Sequence, residues 1–361
     1  MVNWWTEGLA KVAIKVTANR GYSLMRTHVL SWRRRTIRCH AVWALVVLGP
    51  FVRVDAQAPA DYGPVSVDLT DVPYPYPVST LSFVLYGQDV RMAYMDVKPT
   101  GAANGQTVVL LHGFNFSGEA WRGTIDVLAR EGFRVVVPDQ IGFGRSSKPL
   151  IPYTFNDMAI NTRRLLQSLG VERAAIVGHS MGGMLASRFA MAYPGVTTHV
   201  VMVNQIGLTD ARPGRAPRYL DDAYRTDTAR TTPAPNYEAV RRTITRYFVT
   251  WKPEYEKYVR MHWGWTQSPD WPRFAQVRGA LSQMLTAETV VYDWQHIKSK
   301  ALVIGGAKDT PAYPAQAKHV AESIPGAELD LIDNVGHCPQ LEAPEVFHPK
   351  LVRFLKSPPF P

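Results

Sequence analysis

The sequence predicts an α/β protein: a mostly parallel central sheet with helices on both faces and a helical cap inserted after the sixth core strand. Three observations carry this prediction. Short runs that are apolar on both faces, such as TVVLLH (107–112) and AAIVGH (174–179), alternate with amphipathic stretches of helical period. The alternation breaks between Ile206 and about Ser299, where no buried strand is apparent and helical patterns dominate. It then resumes at ALVIGG (301–306), so the interrupted sheet is completed by the C-terminal part of the chain.

The elements follow in order. After a leader over 1–56, the segment 57–80 reads as extended, stiffened by Pro73-Tyr74-Pro75-Tyr76-Pro77. LSFVLY (81–86) and VRMAYMDV (90–97) flank Gly87-Gln88-Asp89 as a hairpin. TVVLLH is a buried strand, AWRGTIDVLAREG (120–132) a helix stopped by glycine, and FRVVVPD (133–139) the next strand. FNDMAINTRRLLQSLG (155–170) is helical, AAIVGH a strand, LASRFAMAYPG (185–195) helical, and THVVMVNQ (198–205) the sixth strand. These make 81–206 the first part of the core. The cap spans 207–299, with loop signals at Arg212-Pro213-Gly214 and Pro233-Ala234-Pro235 and helical stretches such as YEAVRRTITRYFVTW (237–251). Trp251, Trp263, Trp265 and Trp271 crowd into it and read first as core packing. The second part of the core, 300–361, holds ALVIGG, the helix around AQAKHVAESI, the strand AELDLID (327–333) and a last helix EVFHPKLVRFLK. A cap at that point stands beside the carboxyl ends of the strands, where open α/β sheets bind their ligands.

Composition narrows the function classes. Of the net charge of +10, residues 1–56 carry +7 (nine Lys/Arg against two Asp/Glu), leaving +3 on the remaining residues. The basicity therefore belongs mainly to the leader and gives no footprint for nucleic acid. Within the leader, Arg33, Arg34, Arg35 and Arg38 precede the apolar run AVWALVVLGPFV (41–52) and the small residues of VDAQAPA. This is the anatomy of an export signal cleaved near Ala56, with Met25 an alternative start, giving a periplasmic or secreted protein. The apolar run is too short and too interrupted by Pro50 to span a membrane comfortably, and no stable membrane span is expected in the mature chain. The Arg pair suggests a twin-arginine signal, but Arg38 stands where an apolar residue is expected. Cys39 leaves with the signal, so Cys338 remains alone and no disulfide is required. There is no compact metal-ligand cluster, phosphate loop or dinucleotide fingerprint, so neither metal nor cofactor is expected.

The chemistry concentrates in VGHSMGGM (177–184). Gly178-His179-Ser180-Met181-Gly182 follows a buried strand and precedes a helix, the context in which a G-x-S-x-G sequence exposes a strained serine hydroxyl. Gly178 and Gly182 allow the close backbone approach that such a turn needs. A nucleophilic serine needs a base and an acid to orient it. His337 lies just past the last strand and Asp309 just past ALVIGG, so all three follow strands and converge at one sheet edge. Asp309 competes with Asp330, which falls inside its strand, and with Asp333, only four residues from His337; its own post-strand loop favours Asp309 as the acid. Leu111-His112-Gly113-Phe114 follows the strand TVVLL. Gly113 lets the chain turn so that the Phe114 amide, with that of Met181, faces a developing oxyanion. Asp139 reads as a loop acid holding the IGFGRSS turn, and Cys338 as a small buried neighbour of His337.

The blocks LLHGFNFSGEAW, VVPDQIGFGRSSKP, VGHSMGGMLASRFAMAYP, VNQIGL and NVGHCPQLEAPE resemble, in order and spacing, those of the α/β-hydrolase superfamily, in its serine esterase-like branch with a helical cap. The resemblance runs from about Leu81 to Leu355. It implies the α/β-hydrolase fold, with Ser180 as nucleophile, His337 as base, Asp309 as acid and the Phe114 and Met181 amides as the oxyanion hole. His112 then supports the oxyanion loop without transferring protons. Relatives often carry a polar residue where Phe114 stands, a departure that concerns the side chain and not the amide. Serine at the elbow, where epoxide hydrolases and haloalkane dehalogenases carry aspartate, implies an acyl-enzyme. The expected activity is hydrolysis of carboxylic esters or lactones, on a moderately apolar small-molecule substrate. The alternatives are carbon–carbon hydrolysis of diketone-type substrates, cofactor-free perhydrolysis or haloperoxidation, and a binding-only protein on the same scaffold.

Overall fold

The computed structural model describes residues 57–210, 212–213 and 236–360. The leader, with its expected export signal, and residues 214–235 of the expected cap lie outside the described residues.

Eight strands form one sheet: β1 (Ser79–Leu85), β2 (Gln88–Val97), β3 (Thr107–Leu111), β4 (Arg134–Pro138), β5 (Ala174–His179), β6 (Thr197–Val203), β7 (Lys300–Gly306) and β8 (Glu328–Ile332). Their spatial order is β1-β2-β4-β3-β5-β6-β7-β8. From β4 to β8 every pairing is parallel, whereas β1 pairs antiparallel with β2 and β2 antiparallel with β4. The connections dictate this. Tyr86 and Gly87, at φ of 49° and 72°, form a two-residue turn, which can only join antiparallel neighbours. Each parallel step instead needs a crossover, supplied by a helix.

Those helices explain why the core strands are apolar throughout. Along β3, Val108 and Leu110 face a layer containing Ile125 and Leu128 of α1 (Arg122–Arg130) and Phe347 and Leu351 of the last helix (Pro344–Leu355). Val109 and Leu111 face the opposite layer, with Phe155 of α2 (Phe155–Ser168), Phe189 of α3 (Met181–Ala192) and Val320 from the helix Tyr313–Ser323. A strand covered on both faces has no polar side to display.

Between β6 and β7 the described residues form three α-helices, α4 (Tyr237–Thr245), α5 (Glu256–Gln267) and α6 (Trp271–Ala287), with short 3-10 turns at Pro253–Tyr255 and Trp294–His296. The stretch YEAVRRTITRYFVTW is helical only as far as Thr245. Tertiary acceptors end it, because the amides of Val249 and Thr250 donate to Glu342 Oε1 at 2.8 and 2.9 Å instead of to carbonyls of a continuing helix.

The extended segment before β1 joins these parts. The Val65 amide donates to the Gly264 carbonyl on α5 at 3.1 Å, and Tyr62 Oη donates to Glu256 Oε1 at 2.9 Å. A Cβ at Gly264 would lie 2.3 Å from Val65 Cγ2, so only glycine permits that approach. Farther on, Arg145 Nη2 donates to the Val72 carbonyl, Tyr74 Oη to Asp139 Oδ2 and Tyr76 Oη to Asp126 Oδ1. One strap thus touches α5, the loop after β4 and α1.

Candidate active site

Ser180 occupies the single residue between the end of β5 at His179 and the start of α3 at Met181. Its φ of 57° and ψ of −118° lie in a region that side-chain-bearing residues rarely adopt, a strain the surroundings must impose. The flanking glycines show how. A Cβ on Gly178 would sit 1.9 Å from the Gly182 carbonyl oxygen, and one on Gly182 2.2 Å from that of Leu111. The Ser180 amide donates to the Val203 carbonyl at 2.9 Å, which ties the elbow to β6.

His337 and Asp309, from the loops after β8 and β7, meet at the same edge. His337 Nδ1 donates to Asp309 Oδ2 over 2.8 Å, leaving Nε2 as the unprotonated nitrogen of the neutral ring. Burial works against the Asp309 carboxylate, but hydrogen bonds from His337 and Asn204 outweigh it and hold its pKa below the ordinary value. Asn204 Nδ2 reaches Asp309 Oδ2 at 3.0 Å, while its Oδ1 accepts the Gly306 amide at 2.9 Å.

The backbone of His337 is held from two sides. Its amide donates to the Tyr247 carbonyl at 2.8 Å, and the Tyr247 ring stacks on the imidazole with centroids 4.9 Å apart. Its carbonyl accepts from His179 Nε2 at 2.8 Å. Burial lowers the His179 pKa to about 3, so that donor stays a neutral imidazole at ordinary pH.

Opposite Ser180, the chain leaving β3 turns at Gly113–Phe116, closed by the Phe116 amide on the Gly113 carbonyl at 3.1 Å. A Cβ on Gly113 would lie 3.0 Å from Ser180 Cβ, which measures how closely this loop approaches the elbow. His112 braces it: Nδ1 donates to the Gly113 carbonyl at 2.9 Å and Nε2 accepts the Gln140 amide at 3.1 Å. Both ring nitrogens are thereby occupied, and burial holds this imidazole's pKa below the usual value. The amides of Phe114 and Met181 have no acceptor among the described residues.

Ser180, His337, Asp309 and Phe114 all line one cavity of about 830 Å³. Its apolar walls include Ile206, Leu208 and Leu285, and its polar ones Tyr247 and Arg278. None of Trp251, Trp263, Trp265 and Trp271 lines it; Trp265 instead packs edge-on against Phe274. Asp139 is the loop brace expected, its oxygens accepting the Gly118 and Arg145 amides at 2.7 and 2.8 Å. Cys338 is fully buried, and burial pushes its thiol pKa far up, which suppresses thiolate chemistry.

Three residues at this site were not foreseen from the sequence. Asn204 lay in plain view within VNQIGL, directly after β6, and its position at a strand's carboxyl end was the available signal. Tyr247 and Arg278 carry no local motif, since the element that brings them here is the helical segment between β6 and β7.

Comparison with known proteins places the chain. A family model described as the alpha/beta hydrolase fold matches residues 106–344. The crystal structure of a probable hydrolytic enzyme from Pseudomonas aeruginosa PAO1 is 38% identical, covering 82% of this chain and 100% of that one with a TM-score of 0.76. Lipase 3 of Moraxella sp. strain TA144 is 28% identical over 66% of this chain and 74% of its own length. An uncharacterized protein of Mycobacterium tuberculosis is 37% identical over 108 residues, and the chain spans only 31% of that relative's length. With the family model matching more than half of the chain, and the eight-stranded, mostly parallel sheet in place, this protein belongs to the α/β-hydrolase family.

Proposed function

We propose that the protein is a serine hydrolase that cleaves carboxylic esters or lactones through an acyl-enzyme on Ser180. The observation that carries this reading is the convergence, in one cavity, of a serine at a strained strand-to-helix elbow and a histidine hydrogen-bonded to a half-buried aspartate. Ser180 Oγ attacks the acyl carbonyl carbon and its proton passes to His337 Nε2. The developing oxyanion is received by the Phe114 and Met181 amides, each such donor being worth about 3 kcal/mol of transition-state stabilisation. Collapse breaks the acyl–oxygen bond, and the leaving alkoxide takes the proton from Nε2. Water, deprotonated by the same nitrogen, then attacks the acyl-enzyme, and the acid and free Ser180 are regenerated. Asp309 keeps the imidazole in its Nδ1–H tautomer and stabilises the imidazolium that forms.

On this reading the helices α4 to α6 act as a cap, and Ile206, Leu208 and Leu285 accept the apolar body of the substrate. No cofactor enters the cycle. The Arg-rich leader supports export to the periplasm or outside, with cleavage near Ala56.

The test is turnover of a chromogenic ester series, acetate through decanoate, by the chain starting at Gln57. Ser180→Ala is expected to lower kcat by at least about a thousandfold. Turnover that survives the substitution contradicts the acyl-enzyme. A folded wild type inert to every ester would favour carbon–carbon hydrolysis of a diketone-type substrate.

A further inference from the structure

The helical segment carries into the cavity a cation that the proposed chemistry does not use. Arg278, on α6, places Cζ 4.8 Å from the centroid of the Phe114 ring, beside the proposed oxyanion loop. A guanidinium has five N–H donors. Among the described residues its one hydrogen-bond acceptor is Asn115 Oδ1, at 2.8 Å, a neutral amide. Asn115 is itself pinned, since its Nδ2 donates to Tyr247 Oη at 2.7 Å and its carbonyl accepts from His262 Nε2 at 3.0 Å. The fork is therefore held in place by a rigid neutral partner, with most of its donors left over.

Among the described residues no acid neutralises it. Burial lowers the Arg278 pKa to about 10, so it is charged at neutral pH. The acids among the described residues that line the same cavity are already engaged. Asp309 takes His337, Asp210 takes Arg212 at 2.8 Å, and Glu288 accepts the Phe155 amide at 2.8 Å and faces Arg188 at 4.0 Å. Arg246, at the exposed rim, lies 5.5 Å over the Tyr247 ring and adds to the positive field. Stacking on Phe114, Trp265 and Phe274 accommodates the guanidinium plane, and beyond Asn115 Oδ1 its edge donors meet no acceptor among the described residues.

We infer that Arg278 is a carboxylate-binding subsite, so that the preferred substrates are esters or lactones bearing a free carboxylate as well as the scissile acyl group. The planar fork matches a carboxylate in a two-point contact, and inside a cavity such a contact is little screened. The apolar walls then hold the chain between the two ends. Hydrolysis leaves this carboxylate unchanged: water adds across the acyl–oxygen bond and gives one new carboxylate and one hydroxyl, as separate molecules from an ester or within one hydroxy acid from a lactone. The inference rests on the esterase reading for the reaction, though not for the binding.

The experiment has two arms. In the kinetic arm, 4-nitrophenyl half-esters of glutaric and adipic acid are compared with neutral 4-nitrophenyl esters of equal chain length, on wild type, Arg278→Met and Arg278→Lys. Wild type is expected to favour the half-esters at least tenfold in kcat/KM. Arg278→Met should lose at least tenfold more on the half-esters than on the neutral esters, chiefly through KM, and Arg278→Lys should recover part of that difference. Equal losses on both series, or a wild-type preference for neutral esters, overturn the subsite and leave the esterase standing.

In the binding arm, calorimetry measures monomethyl adipate and dimethyl adipate on Ser180→Ala with and without Arg278→Met, thermal melts confirming that each variant is folded. Binding of the monoanion at least tenfold tighter than the diester, abolished by Arg278→Met, supports the subsite even where no ester is turned over. Equal binding of the two refutes it.

Discussion

At the scale of single residues, the site depends on side chains that do no chemistry. Asn204 stands at φ of 40°, in the left-handed region that asparagine tolerates better than most residues, and bonds both the Asp309 carboxylate and the Gly306 amide. Asn204→Ala removes both bonds at once inside a fully buried pocket. It should destabilise the fold by about 1–3 kcal/mol, the cost of orphaning buried polar groups, and lower kcat more than it changes KM. Urea unfolding with ester kinetics on the same variant checks this, and an unmoved unfolding midpoint contradicts it. Ser180, Asp309 and His337 were readable as candidates because each lies on the turn or loop that follows a strand, where local sequence specifies position. Arg278 was not, because its partner Asn115 lies 163 residues away, and only the packing of α6 brings the two together.

At the scale of elements, the strap before β1 and the helical segment form one mechanical unit. Hydrogen bonds from Tyr62 and Val65 hold α5, and those of Tyr74 and Tyr76 hold the core. A chain beginning at Tyr74 should therefore keep its sheet but loosen α5 and α6, which would then open locally at lower free energy. The expected outcome is a melting temperature lower by several degrees and faster limited proteolysis between Glu256 and Ala287. Cleavage there at the wild-type rate would show the strap to be dispensable. The proline-rich composition made this segment recognisable as extended but not what it touches, because an extended chain makes its contacts outside itself. The early end of α4 was hidden for a similar reason. Residues 246–251 continue the helical apolar spacing of Tyr237, Val240 and Ile244, and the acceptor that draws the Val249 and Thr250 amides away, Glu342, belongs to the C-terminal part of the chain.

At the scale of the whole molecule, buried neutral histidines set the response to acid. Burial lowers the pKa of both His179 and His262 to about 3, against 6.5 in an unfolded chain. The unfolded state thus takes up these protons first. The stability associated with each is fully present above about pH 6.5 and is lost as pH falls towards 3, at up to about 1.4 kcal/mol per pH unit per group. Calorimetric melts from pH 7 to pH 4 should fall progressively, and His262→Gln should flatten the slope. A melting temperature constant across that range would contradict the assignment. The architecture was legible almost throughout, because strands buried on both faces leave an unmistakable apolar signature and parallel pairing obliges helices between them. What composition could not convey was the entry of Arg278 into the cavity, since the four tryptophans of the segment signal packing and none of them lines it.

The placement of the helical segment has one more consequence. Because it interrupts the chain between β6 and β7, the proposed nucleophile is encoded before the interruption and the proposed acid and base after it. A cut anywhere within the segment would yield two pieces, each catalytically mute. Their sole common boundary inside the sheet is the parallel ladder from His199–Lys300 to Val203–Ile304. Reassembly of those halves would be reported by the return of turnover itself, which makes the molecule a natural two-part sensor of its own association.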